Sequence, residues 1–133
     1  LQAKSQAWLE ELTQGRYKEV QVSAAGDLAL ASSQDGHYYQ DAYYSTGTRN
    51  LIYLSLRLAL ADMLAEAQNL TLPLFLDDSL SSLDQDRLEN ALTALTNYAQ
   101  DTGRQITLCT ASHNLQQIAE GRGLNILELN RSV

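Results

Sequence analysis

The chain has 133 residues, 44% of them hydrophobic and 19% charged, a composition that fills one globular core and excludes intrinsic disorder. Its formal net charge of -7 argues against this surface, taken alone, as a docking face for the DNA backbone, because that binding runs on Lys and Arg displacing counterions. A single cysteine, Cys109, excludes an internal disulfide and fits a reducing, cytoplasmic setting; no run approaches the roughly 20 apolar residues of a membrane span, and no basic-then-apolar leader opens the chain.

The chain begins at Leu1 without a methionine and directly in a helical pattern, which predicts a piece excised from something longer. Leu1, Trp8, Leu9 and Leu12 give a short amphipathic helix from Leu1 to Thr13 that stops near Gly15. From Tyr17 to Gln40 the pattern turns to alternation, with Ala24-Ala25-Gly26-Asp27 and Ser33-Gln34-Asp35-Gly36 as turns, predicting an antiparallel meander of two or three strands. A helix from about Arg49 to Ala67 is apolar on nearly every side and therefore expected to be buried. Leu72 to Leu76 reads as a central strand, Asp84 to Thr102 as an amphipathic helix stopped by Gly103, and Gln105 to Thr110 as a second buried strand. Asn114 to Glu120 reads as a short helix and Leu124 to Leu129 as a final strand. Alternating strands and helices predict parallel pairing, hence an α/β domain with a small antiparallel β extension at its front.

Chemistry concentrates at strand ends. The run Leu72 to Leu76 delivers Asp77 and Asp78, two carboxylates suited to holding Mg2+ and to orienting or deprotonating an attacking water; a pair that merely caps the next turn is the plainer alternative. Ser81-Ser82-Leu83-Asp84 follows at short range, and Thr110-Ala111-Ser112-His113 follows the next strand, so His113 is expected to emerge beside the acids. Upstream, Tyr44-Ser45-Thr46-Gly47-Thr48-Arg49 is a small, hydroxyl-rich start to a helix, where free N–H groups favour a phosphate. His37 reads as a surface residue, Cys109 as core, and Trp8 and Leu12 as a coiled-coil seam or a contact with the meander. Tyr38, Tyr39, Tyr43 and Tyr44 lack interleaved basic residues, so packing is expected of them and not base stacking.

These motifs, in this order, resemble the C-terminal half of the head of SMC-like, coiled-coil ABC ATPases of the double-strand-break repair type, from Tyr44 to the C-terminus. The run from Tyr44 to Arg49, followed by Leu54-Ser55-Leu56-Arg57-Leu58-Ala59-Leu60, looks like the ABC signature and its helix. Asp77-Asp78 looks like Walker B, Ser81 to Asp84 like the D-loop, and His113 like the switch histidine. The resemblance implies a C-terminal lobe of a P-loop ABC-type head, parallel strands flanked by helices, in which residues 1–15 end a returning coil and 16–133 form the lobe. It implies Asp77 as the Mg2+ ligand, Asp78 as catalytic base and His113 as sensor of the ATP γ-phosphate. Tyr44, Ser45, Thr46, Gly47 and Thr48, with Ser82 and Asp84, would form the surface that meets ATP on a second head, Asp84 would communicate across that dimer interface, and Arg57 would couple nucleotide state to lobe movement. Implied partners are an N-terminal P-loop lobe, a second head, a phosphoesterase nuclease, and DNA through the whole protein.

Departures are as specific as the matches. Tyr44 and Thr46 stand where the family commonly has Leu and Gly, and Asp78 stands where Glu is usual, which shortens the reach of the base. No glycine-rich turn ending in Lys and Ser or Thr is present, since the only lysines are Lys4 and Lys18, so the P-loop must come from elsewhere. Receiver domains and haloacid-dehalogenase-like phosphatases need a later Lys that this chain lacks. An ABC transporter nucleotide-binding fragment and a non-hydrolysing dimerisation lobe remain the alternatives; the β-meander before Tyr44, in place of a helical subdomain, favours the coiled-coil class.

Overall fold

The computed structural model describes residues 1–22, 28–32, 36–40 and 43–129. Five strands and four helices lie among them, in the order α1 Gln2–Leu12, β1 Tyr17–Val22, β2 Leu28–Ser32, β3 Tyr38–Gln40, α2 Thr46–Gln68, β4 Leu74–Asp77, α3 Gln85–Thr102, β5 Ile106–Cys109 and α4 His113–Gly121. The turn at Ala24 to Asp27, Ser33 to Asp35 of the second turn, and residues 130–133 of the predicted lobe lie outside the described residues.

Helix α1 buries Ser5, Trp8, Leu9 and Leu12, one stripe at helical spacing. It ends where Gln14 and Gly15 take left-handed backbone angles, φ 52 and 75, and the Gly15 N–H returns to the Glu10 carbonyl at 2.7 Å. That turn feeds the meander, whose strands pair antiparallel in the order β1-β2-β3 with a register irregularity between Tyr17 and Glu19. Leu9, Tyr17, Val20 and Ile52 form the small cluster joining the meander to α1 and α2. Trp8 and Leu12 belong instead to the main core with α2 and α3, so neither assignment made from sequence, coil seam or meander contact, describes them.

Helix α2 starts three residues earlier than its apolar pattern predicts, because the Ser45 hydroxyl caps it by accepting from the Thr48 N–H at 3.3 Å. It is also less buried than predicted. Leu51, Leu54, Ser55, Leu58 and Ala59 line the core side, whereas Leu60 and Leu64 are 49% and 46% exposed. A helix apolar on all sides requires layers on all sides, and among the described residues only one side is covered.

Strands β4 and β5 pair in parallel, Leu74 opposite Ile106 through Asp77 opposite Cys109, with α3 as the crossover. Asp84 caps α3, accepting from the Arg87 N–H at 3.0 Å, and Gly103 ends it at φ 67. One face of the pair turns Leu76 into the core at 3% exposure, while Phe75 on the other is 72% exposed. Three predictions fail together here. The pair is a two-stranded sheet and not a centre; Cys109 is exposed and not core; and Leu124 to Leu129 forms no strand, with Leu127 91% and Leu129 94% exposed. All three need a second layer or a neighbouring strand, and the described residues supply neither.

A polar knot ties α1, α2 and α3 together. Asp62 accepts from the Trp8 indole N–H at 3.0 Å and from the Tyr98 hydroxyl, and it lies 3.9 Å from the Arg104 guanidinium, which is buried. Trp8 meets Tyr98 edge to face at 4.7 Å, and Arg104 stacks over the Tyr98 ring at 5.2 Å. Burial and the Asp62 carboxylate push the Tyr98 phenol well above its usual range.

Candidate functional site

Asp77 and Asp78 stand exposed at the carboxyl end of β4. The chain turns sharply there, since Asp78 has φ 48, a left-handed angle that Asp tolerates better than most side chains. Local hydrogen bonds hold this turn. The Asp78 N–H donates to the Cys109 carbonyl at 2.8 Å, and its carbonyl accepts from the Ser81 N–H at 3.4 Å and the Ser81 hydroxyl at 3.0 Å. The Ser79 hydroxyl donates to the Asp77 carbonyl at 3.3 Å. With the backbone satisfied, both carboxylates face outward as acceptors.

The end of β5 lies beside them. Thr110 Oγ1 is 3.4 Å from Asp78 Oδ1, which places the two strand ends in contact. Ser112 caps α4 by accepting from the Leu115 N–H at 3.3 Å, so His113 becomes the first residue of that helix. The His113 ring is exposed and its Nε2 lies 3.2 Å from Gln117 Nε2, along its own helix.

The third part is the start of α2. Tyr44 packs edge to face on Tyr17 at 5.4 Å, anchoring the approach, while Tyr43 is 78% exposed. Ser45 and Thr46 are exposed, but Gly47 and Thr48 are buried. A Cβ at Gly47 would lie 2.9 Å from the Ser82 carbonyl oxygen, and Asn50 Nδ2 donates to Ser82 Oγ at 2.7 Å. Thr48 Oγ1 accepts from Arg87 Nη1 at 3.1 Å, and Arg87 Nε reaches Asp84 Oδ2 at 3.3 Å. The start of α2 and the Ser82 to Asp84 turn are therefore one hydrogen-bonded unit. Arg57 is exposed further along α2.

Arg87 and Asn50 carry much of this geometry and were not identified from sequence, and Thr110 enters there only as the start of the run leading to His113, with no role of its own. An arginine three residues after a capping aspartate is a signal that could have found Arg87; Asn50 and Thr110 depend on contacts across 32 residues, for which the sequence gives no local sign. A cleft of about 360 Å³ between the end of α1 and the first turns of α2 and α3 includes Arg16, Thr48, Asp84 and Arg87 but neither Asp77 nor Asp78.

Among the described residues no group of three or more His, Cys, Asp or Glu could cage a metal. Two exposed adjacent carboxylates fit Mg2+ nonetheless, because that ion keeps several waters and is commonly held by one or two carboxylates plus substrate phosphates. No helix among the described residues is long and apolar enough to cross a membrane.

No protein-family model matches the chain. The uncharacterized protein YhaN of Bacillus subtilis (strain 168) is 32% identical over 105 residues, which cover 79% of this chain and 11% of that protein. The chain thus spans about a tenth of the length of this curated relative. Among solved structures, one reported under "Structural biochemistry of ATP-driven dimerization and DNA stimulated activation of SMC ATPases" superposes with a TM-score of 0.66 at 11% identity, covering 90% of this chain and 71% of that one. The Smc head domain from Pyrococcus furiosus, with an extended coiled coil and bound to the C-terminal domain of ScpA, superposes with a TM-score of 0.61 at 11% identity, over 88% and 29% of the two chains. At this identity the likeness is one of fold: the mixed helix and strand arrangement is that of an SMC ATPase head fragment.

Proposed function

We propose that this chain is the C-terminal lobe of an ATP-hydrolysing, SMC-like head that dimerises on ATP, is completed by a P-loop lobe, and serves DNA repair or chromosome maintenance. The observation that carries the reading is the contact of the two parallel strand ends, where Thr110, three residues before His113, lies 3.4 Å from Asp78. The fold likeness supports the class.

In this reading Asp78 accepts a proton from the attacking water, and His113 contacts the γ-phosphate. Asp77 holds Mg2+, which when bound neutralises charge on the phosphate oxygens. Ser45 faces ATP on a second head. Thr48 Oγ1 accepts from Arg87 Nη1 and lies 3.1 Å from Ser45 Oγ, a pair in which either hydroxyl can donate; with Thr48 as the donor, the Ser45 O–H is left to donate to a phosphate. Exposed apolar residues such as Phe75, Leu60 and Leu127 form the surface onto which the P-loop lobe packs. DNA engages the full protein and not this acidic lobe alone, and a phosphoesterase nuclease is a further partner.

Mg2+-dependent ATP turnover and ATP-dependent dimerisation of the full-length protein test the reading. Asp78→Asn is expected to abolish turnover while keeping dimers, His113→Ala to slow turnover, and Ser45→Arg to prevent dimers. Dimers without hydrolysis in the unaltered protein would identify a clamp with no motor. Absence of both binding and dimers would refute the family reading.

A further inference from the structure

Thr110 accepts a hydrogen bond from the Ser112 N–H at 3.0 Å, so its own hydroxyl hydrogen is free to point elsewhere. The acceptor in reach is Asp78 Oδ1 at 3.4 Å. Among the described residues no other side chain donates to the Asp78 carboxylate. The main chain of Asp78 is fixed by Cys109 and Ser81, but that leaves the side-chain torsions open on an exposed residue. An aspartate has one fewer methylene than a glutamate with which to reach a substrate, so its orientation matters more.

We propose that Thr110 is a positioning residue for the ATPase reaction, its hydroxyl orienting the Asp78 carboxylate and linking it to the loop that carries His113. The inference rests on the ATPase reading above. Its chain of contacts is continuous: Asp78 carboxylate, Thr110 hydroxyl, Ser112 N–H, and then the Ser112 cap of α4, whose first residue is His113. A displacement of α4 therefore displaces the donor that orients the base.

The test compares Thr110→Val, which keeps the branched shape but neither donates nor accepts, with Thr110→Ser, which keeps the hydroxyl. Two quantities are measured in the full-length protein: steady-state ATP turnover with Mg2+, and backbone amide exchange of residues 110–116 without nucleotide. Thr110→Val is expected to lower kcat about tenfold at unchanged KM, the scale on which misplacing a catalytic group acts, and to speed exchange at Ser112. Thr110→Ser is expected to stay within about twofold of the unaltered protein in both. Unchanged exchange in Thr110→Val overturns the proposal, because the Ser112 bond would then not exist. Faster exchange with unchanged kcat also overturns it, while the ATPase reading stands. If the unaltered protein binds ATP and never hydrolyses it, the ATPase reading fails and the positioning role falls with it.

Discussion

Gly47 stands so close to Ser82 that a methyl group on its Cα would lie 2.9 Å from the Ser82 carbonyl oxygen. A main-chain oxygen cannot swing aside as the tip of a long side chain can. Gly47→Ala is therefore expected to destabilise the fold by about 1 to 3 kcal/mol, the usual cost of overpacking. Gly121, at the end of α4 with open space around it, is the control: Gly121→Ala should be neutral or stabilising by up to about 1 kcal/mol. Urea midpoints of the two variants decide the matter, and equal midpoints would refute the close approach.

Asp62→Ala removes one carboxylate from three partners at once, leaving the Trp8 N–H, the Tyr98 hydroxyl and the buried Arg104 guanidinium without it. Nε and Nη1 of Arg104 already lack hydrogen-bond partners among the described residues. The expected loss is about 3 kcal/mol, toward the lower end for a broken buried pair because Asp62 keeps some contact with solvent. Chemical denaturation measures it, and a loss under about 1 kcal/mol would mean the knot adds little.

Tyr98 predicts an alkaline limb in the stability profile. Its phenol pKa is raised in the folded state, so above the ordinary value of 10.0 the unfolded chain releases this proton while the folded chain keeps it. The unfolded state then binds fewer protons, and stability falls as pH rises beyond that point. Tyr98→Phe should remove this component, giving a flatter profile above pH 10 despite lower stability at neutral pH. Thermal melts at a series of pH values would follow it, and parallel profiles would sink the assignment.

Arg87→Ala separates scaffold from function. The side chain is a quarter exposed and its ion pair with Asp84 is mostly in solvent, so the stability cost should stay near 1 kcal/mol. ATP-dependent dimerisation of the still-folded protein should weaken roughly tenfold, about 1.4 kcal/mol, because Thr48 and Asp84 lose the side chain that joins them. Sedimentation with and without ATP reads the difference, and dimers of unaltered strength would count against the clamp.

Local signals were the legible ones. The helix start at Asp84, the glycine stop at Gly103 and the alternation of β1 to β3 act within a few residues, so the elements they delimit could be found from sequence, whereas the cap at Ser45 lies outside the apolar pattern, which starts α2 three residues late. The acidic pair at the end of β4 and the hydroxyl-rich start of α2 were legible for the same reason. What failed was burial. Cys109, Leu60, Leu127 and Leu129 are exposed among the described residues, and hydrophobicity alone does not say whether or by whose side chains an apolar residue is covered. The roles of Thr110 and Asn50 were missed because their meaning lies in a partner 32 residues away.

Helix α2 runs 23 residues without a proline and with no glycine beyond Gly47 in its first turn, so it spans about 34 Å as a stiff rod. Ser45 and Gly47 sit at one end; Asp62, near the other, holds Trp8 of α1, and Lys4 of α1 reaches Glu66 at 2.6 Å. A tilt of about 5° at the serine end becomes a shift of about 2 Å at Asp62, where Trp8 is held. The helix is thus a lever whose long arm pulls on α1, and its mechanical advantage is set by the number of turns between Gly47 and Asp62.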